Sequence, residues 1–191
     1  MGRIKYLTQV RAFCKKTPLV TLSSIKKMLG KKSHYAHLLV HNLVKRGELK
    51  RITRGNYSIH DDPLLFAFCL KPAYLGLQEA LSIHHLWEQE TNVILLTPRK
   101  VRTGMRTVFG SHILIRRIKP DHFFGFEYQE YGNWYVPVSD LEKTFIDLAY
   151  FNQPLDKKLL QTFRKKLNRN QLRKYLTRYP ARIAHKIRKL L

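Results

Sequence analysis

Asp140, Glu142, Lys143 and Asp147 lie within eight positions of one another and carry the side chains of a metal-assisted phosphodiester chemistry. Carboxylates can hold a divalent cation, and a neighbouring lysine can hold a scissile phosphate. The same stretch also spells a helix start. Ser139-x-x-Glu142 has the pattern of a capping box, in which the Ser side chain takes the amide three residues on and the Glu returns to the Ser amide. Acids in a first helical turn also suit the helix dipole. No second carboxylate cluster accompanies this one, so the structural reading is preferred and no enzyme is expected. His84-His85 offers acid–base groups without a matching nucleophile. His34, His37 and His41 share one side of a helix but have no Cys or carboxylate beside them, so neither metal nor cofactor is expected. There is no P-loop, G-x-G-x-x-G, H-E-x-x-H or C-x-x-C. Cys14 and Cys69 are far apart and signal neither a disulfide framework nor a cysteine-rich zinc site.

Charge points elsewhere. The formal net charge is +23, and it sits at the two ends of the chain. Residues 1–62 hold fourteen Lys or Arg against three acids, and residues 157–191 hold thirteen against none. Between them, residues 63–156 hold nine basic and ten acidic residues, close to neutrality. Two basic modules around a neutral core suit a polyanion, most simply nucleic acid. Cations that neutralise phosphates release counterions, which makes such binding tight and salt-dependent. Hydrophobic residues at 44% and aromatics at 12% suffice for a packed core. No apolar run approaches the ~20 residues of a membrane span. The N-terminus reads as a helix and not as a signal peptide, so no membrane partner and a cytoplasmic location are expected.

The elements that would position these side chains can be read from periodicity. Ile4, Leu7, Val10 and Phe13 recur at helical spacing, and the pattern ends near Pro18. Thr21 can cap a second helix closed by Gly30. Ser33 can cap a third, with Tyr35, Ala36, Leu39, Leu43 and Val44 on its apolar face and Gly47 as its stop. Two short strands about Thr53-Arg54-Gly55 then form a hairpin. Three helices and a hairpin in this order are the plan of a winged helix-turn-helix over residues 1–62. In that plan the N-terminal part of the recognition helix meets base edges. Lys31, Lys32, Ser33, His34, His37, His41 and Lys45 then face DNA, joined by Arg51, Arg54 and Asn56 from the wing. Lysines and the helix N-terminus suit phosphate, while Ser and His suit bases.

Residues 63–155 read as an α+β domain. A helix is expected over Tyr74–Trp87, followed by strands at Val93–Thr97, Thr107–Phe109, His112–Ile118, Phe123–Phe126 and Asn133–Val138, and a helix from Ser139. The aromatics within these strands, Trp134 and the Phe123-Phe124-Phe126 cluster, read as core. The order of pieces is informative. Arg54-Gly55-Asn56-Tyr57 is followed by Tyr74-Leu75-Gly76-Leu77-Gln78-Glu79-Ala80-Leu81 and by a strand ending in Leu96-Thr97. Ile115-Arg116-Arg117-Ile118, Phe124-Gly125-Phe126 and Val138-Ser139-Asp140-Leu141-Glu142-Lys143-Thr144-Phe145-Ile146-Asp147-Leu148 come next. This succession, over most of residues 1–150, resembles the AbiEi-type antitoxins, regulators of viral-defence modules in type IV toxin–antitoxin pairs. The resemblance implies an N-terminal half that represses its own operon through double-stranded DNA, in some cases an inverted repeat. It also implies a C-terminal half that opposes a cognate toxin of the nucleotidyltransferase type.

Residues 156–191 lie beyond that resemblance. They read as a basic helical extension packed on the α+β domain. Asp156, either Asn168 or Asn170, and Pro180 mark three helix starts, each followed by an apolar stripe. The outer faces carry Arg164, Lys165, Arg169, Arg173, Lys174 and Arg178, a second nucleic-acid surface. An alternative function follows from them: RNA binding or processing through these helices, with the wing as a docking fold.

Overall fold

The computed structural model describes residues 2–30, 33–88 and 92–191 and divides into two compact units. One comprises Met1–Cys69 with Val108–Ser111, the other Leu70–Thr107 with His112–Leu191. The division falls at Cys69/Leu70, a few residues beyond the boundary read after residue 62. Both helices and sheets are substantial, so the chain is α+β. Among the described residues, no helix is long and apolar enough to cross a membrane.

The first unit runs α1 (Gly2–Lys16), β1 (Val20–Thr21), α2 (Leu22–Leu29), α3 (Ser33–Lys45), β2 (Lys50–Thr53), β3 (Asn56–Ser58) and a short α4 (Phe66–Cys69). Thr21 starts α2 through a reciprocal cap. The Ser24 amide donates to Thr21 Oγ1, and the Thr21 amide donates to Ser24 Oγ, both at 3.0 Å. Gly30 ends it in the left-handed region at φ 59°, where a Cβ would be strained. The three strands form an antiparallel sheet in the order β1-β3-β2. Strand β1 has no counterpart in the periodicity, because two residues are too few to alternate. Val10, Cys14, Ile25, Ala36, Leu39, Val40 and Leu43 close the core between helices and sheet.

Burial fixes the state of the thiols. Cys14 is 2% exposed. Desolvation pushes both thiols up to about 11, so little thiolate is present near neutrality. Neither cysteine of the folded chain is expected to react with iodoacetamide at pH 8, and both should react in urea. Mass spectrometry would read the adducts, and rapid labelling of Cys14 in the folded protein would contradict this packing.

The second unit runs β4 (Tyr74–Leu75), α5 (Gln78–Ile83), β5 (Val93–Thr97), β6 (Gly104–Val108), β7 (Ser111–Arg117), β8 (Phe126–Tyr131), β9 (Trp134–Ser139), α6 (Leu141–Tyr150), α7 (Lys157–Lys166), α8 (Arg169–Leu176) and α9 (Ala181–Arg188). Its six-stranded mixed sheet has the order β6-β7-β5-β4-β9-β8. The long helix expected over Tyr74–Trp87 is not there. Tyr74 and Leu75 instead pair with Leu96 and Leu95 on one side, and Leu75 pairs with Val138 on the other. Leu77 turns the chain at φ 56°, and only then does the short α5 begin. Likewise Phe123–Gly125 precede the strand and do not join it, because Gly125 turns the chain at φ 67°.

Helix α6 is the centre of this unit. Every residue from Glu142 to Ala149 is buried, and α6 packs against α5, α8, α9 and β9. Phe145 and Phe163 meet at 4.9 Å between ring centroids with no exposed surface. Full burial of such a ring is worth about 1.5–3 kcal/mol. The basic helices α7–α9 contribute Leu159, Phe163, Leu172, Leu176, Ala184 and Ile187 to the same core. Asp156 and Asn168 cap the first two of them through side-chain oxygens.

Candidate nucleic-acid interface

Helix α3 has two faces. Ala36, Leu39, Val40 and Leu43 are buried, while Ser33, His34, His37, His41 and Lys45 are exposed. His34, His37, His41 and Lys45 follow i, i+3, i+7, i+11 spacing, so they share one outward stripe. Lys31 and Lys32, proposed with them, lie outside the described residues. Leu38 belongs to the same stripe and is 46% exposed, a position that apolar periodicity alone did not single out. Its spacing of four from His34 and three from His41 was the available signal.

The β2–β3 turn presents the other cations. Arg51 and Arg54 are exposed, and Arg51 Nε donates to the Thr53 carbonyl at 3.4 Å. Asn56 has a more structural position than a direct contact would need. Its Nδ2 donates to Thr53 Oγ1 at 2.7 Å and to the Arg54 carbonyl at 3.5 Å, so it shapes the turn that carries Arg54.

The three acids of residues 1–62 are all engaged. Glu48 accepts two bonds from Arg11, at 2.7 and 3.0 Å, and the Arg11 hydrogen bond holds its carboxyl below the usual range. Asp61 pairs with Lys50. Asp62 accepts the Leu64 amide at 2.8 Å. None of these acids pairs with Lys45, Arg51 or Arg54.

In the second unit, Arg164, Lys165, Arg169, Arg173, Lys174 and Arg178 are all exposed, on α7, on α8 and just beyond it. Arg164 Nη2 donates to the Leu190 carbonyl at 3.3 Å. The Arg178 guanidinium lies 4.4 Å from the centroid of Phe124, a contact that orients it without neutralising it.

The carboxylate cluster around α6 is built into the structure. Its N-cap is Asp140 and not Ser139: Asp140 Oδ1 accepts the Lys143 amide at 2.7 Å. The capping box read at Ser139 and Glu142 fails because both side chains are occupied elsewhere. Ser139 Oγ shares a 2.7 Å hydrogen bond with Thr144 Oγ1, and Glu142 accepts the Asn168 amide at 2.7 Å. Asp140 Oδ2 accepts from Tyr175 at 2.6 Å, which ties α8 to the start of α6. Lys143 and Asp147 form an ion pair with no exposed surface, and Tyr74 donates its hydroxyl to Asp147 Oδ2 at 2.7 Å. Desolvation lowers the lysine and raises the aspartate from their ordinary values, while each opposes the other's shift. His84 Nε2 is 2.7 Å from the Ser139 carbonyl, and His85 is exposed. Among the described residues, no three His, Cys, Asp or Glu side chains gather as a metal site.

No protein-family model matches the chain, and no curated protein matches it. Its fold is similar to the crystal structure of the Rv2827c protein from Mycobacterium tuberculosis, with a TM-score of 0.62 and 13% identity over 98% of this chain and 76% of that one. At that identity the likeness is one of α+β fold.

Proposed function

We propose that this chain is a double-stranded DNA-binding transcriptional regulator whose first unit is a winged helix-turn-helix. Helix α3 is its recognition helix, and the β2–β3 turn is its wing. The observation that carries this reading is the α3 stripe of His34, His37, His41 and Lys45, exposed in a unit whose acids are all engaged elsewhere. Ser33 and the histidines face base edges, while Lys45, Arg51 and Arg54 anchor phosphates. The resemblance in sequence to AbiEi-type antitoxins supports a narrower form of the proposal. In it the chain acts in the cytoplasm, represses its own operon and counters a nucleotidyltransferase-type toxin. Two copies would then read an inverted repeat, since each recognition helix reads one half-site.

A second reading is RNA binding through α7–α9. The observation favouring it is thirteen cations and no acid over residues 157–191.

A footprint of the full chain on the DNA upstream of its gene tests both. Scrambled duplex and structured RNA serve as competitors at moderate salt. A discrete protected site, lost in Arg51→Ala/Arg54→Ala, is expected. Protection without sequence preference, or displacement by RNA at lower concentration than by duplex, would overturn the regulator reading.

A further inference from the structure

The last helix, α9, has one stripe that the DNA reading does not use. Arg182, His185, Lys186 and Lys189 follow i, i+3, i+4, i+7 spacing and line a groove of about 660 Å³ against the C-terminal end of α6. We propose that this groove binds a phosphorylated nucleoside, either a free nucleotide or the phosphorylated end of a nucleic-acid strand.

The walls are of two kinds. Tyr150, Pro180 and Ile183 supply an apolar floor, and Tyr150 is set edge-on by its contact with His122 at 5.4 Å. Lys186 is committed to the structure: its ammonium donates to the Ala149 carbonyl at 3.3 Å and to Asn152 Oδ1. It fixes α9 against the end of α6 and leaves Arg182, His185 and Lys189 to face the opening. Those three enter no ion pair with a described residue, and no acidic side chain lines the groove.

That combination selects the ligand. A bare phosphate would use the cations and leave the floor wet. An apolar compound would leave two permanent cations uncompensated. A flat base on the floor with phosphate oxygens on Arg182 and Lys189 uses both walls, and arginine suits phosphate through its planar fork of donors. The volume lies within the ~300–1,000 Å³ range of small-ligand sites.

Isothermal titration of the full chain with ATP at physiological ionic strength tests the site. One saturable site is expected. Arg182→Ala/Lys189→Ala should weaken it at least about tenfold, the size of a lost charge-assisted contact. Lys100→Ala/Arg102→Ala removes the same charge from the segment between β5 and β6 and should change it less than about twofold. Both pairs are exposed, so folding should survive each change. Tripolyphosphate should bind at least about tenfold more weakly than ATP, because it offers nothing to the floor. Equal losses in the two double variants, or equal affinity for tripolyphosphate, would overturn the site. Competition with a 5′-phosphorylated dT oligonucleotide separates the sources: displacement of ATP assigns the strand end, and its absence assigns the free nucleotide. The footprint on upstream DNA is read separately, so either proposal can fail alone.

Discussion

Lys143→Met is expected to lower the folding free energy by about 3–5 kcal/mol, the usual consequence of stranding one partner of a buried ion pair. Lys143 and Asp147 have no exposed surface, so water cannot replace the lost ammonium. Asp147 would retain only the Tyr74 hydroxyl. Urea unfolding would read the loss as a shift in midpoint at constant slope. The deficit should depend on pH in a definite direction. Burial raises the Asp147 carboxyl, and Lys143 opposes that rise, so removing the lysine raises it further. A group whose folded pKa is raised binds its proton more readily when folded, so its contribution falls as pH rises. The deficit should therefore grow as pH rises above the ordinary carboxylate value of about 3.9 and shrink as pH falls toward it. Lys143→Met/Asp147→Asn should recover part of the loss, since an amide carbonyl still accepts from Tyr74 and carries no charge. A single variant within about 1 kcal/mol of the parent would show that the pair is not the anchor described.

Arg54→Ala and His37→Ala should divide affinity from specificity. Arg54 is exposed at the tip of the β2–β3 turn, where it meets phosphate in the proposed complex. Its loss should weaken all duplexes by a similar factor and reduce the slope of log K against log salt by about 0.9. His37 lies on the outward stripe of α3 and meets base edges in the same complex. Its loss should narrow the gap between operator and scrambled duplex by about 1–3 kcal/mol while leaving the salt slope unchanged. Fluorescence anisotropy across a salt series reads both quantities. An equal loss of sequence preference in the two variants would refute the division of roles.

Local signals were legible where chemistry is local. Thr21 and Gly30 bound α2 because a cap and a left-handed stop need only their own neighbours. Asp156 marks α7 for the same reason, and of the two asparagines that could start α8 the structure uses Asn168. Tyr74 and Leu75 misled because their neighbours support a helix, whereas β5 and β9, distant in sequence, claim them for the sheet. The Ser139 box misled similarly: Thr144 and the start of α8 compete for the two side chains that a local box would use. Of the proposed interface, the outward stripe of α3 was legible from its period. The engagement of Glu48 by Arg11 was not, since it joins residues 37 positions apart. Neither was the groove beside α9, whose walls meet only once α6 and α9 are packed.

The capture of the last three helices by α6 has a further consequence. Asp140 takes Tyr175, Glu142 takes the start of α8, and the cations of α7–α9 ride on helices whose other faces fill the core. Positive charge and foldability are thus written into the same three helices. A flexible basic arm can be trimmed or swapped without harm to its host. Here selection can tune the charge only side chain by side chain, on the outer faces, because any larger excision would open the interior of the second unit.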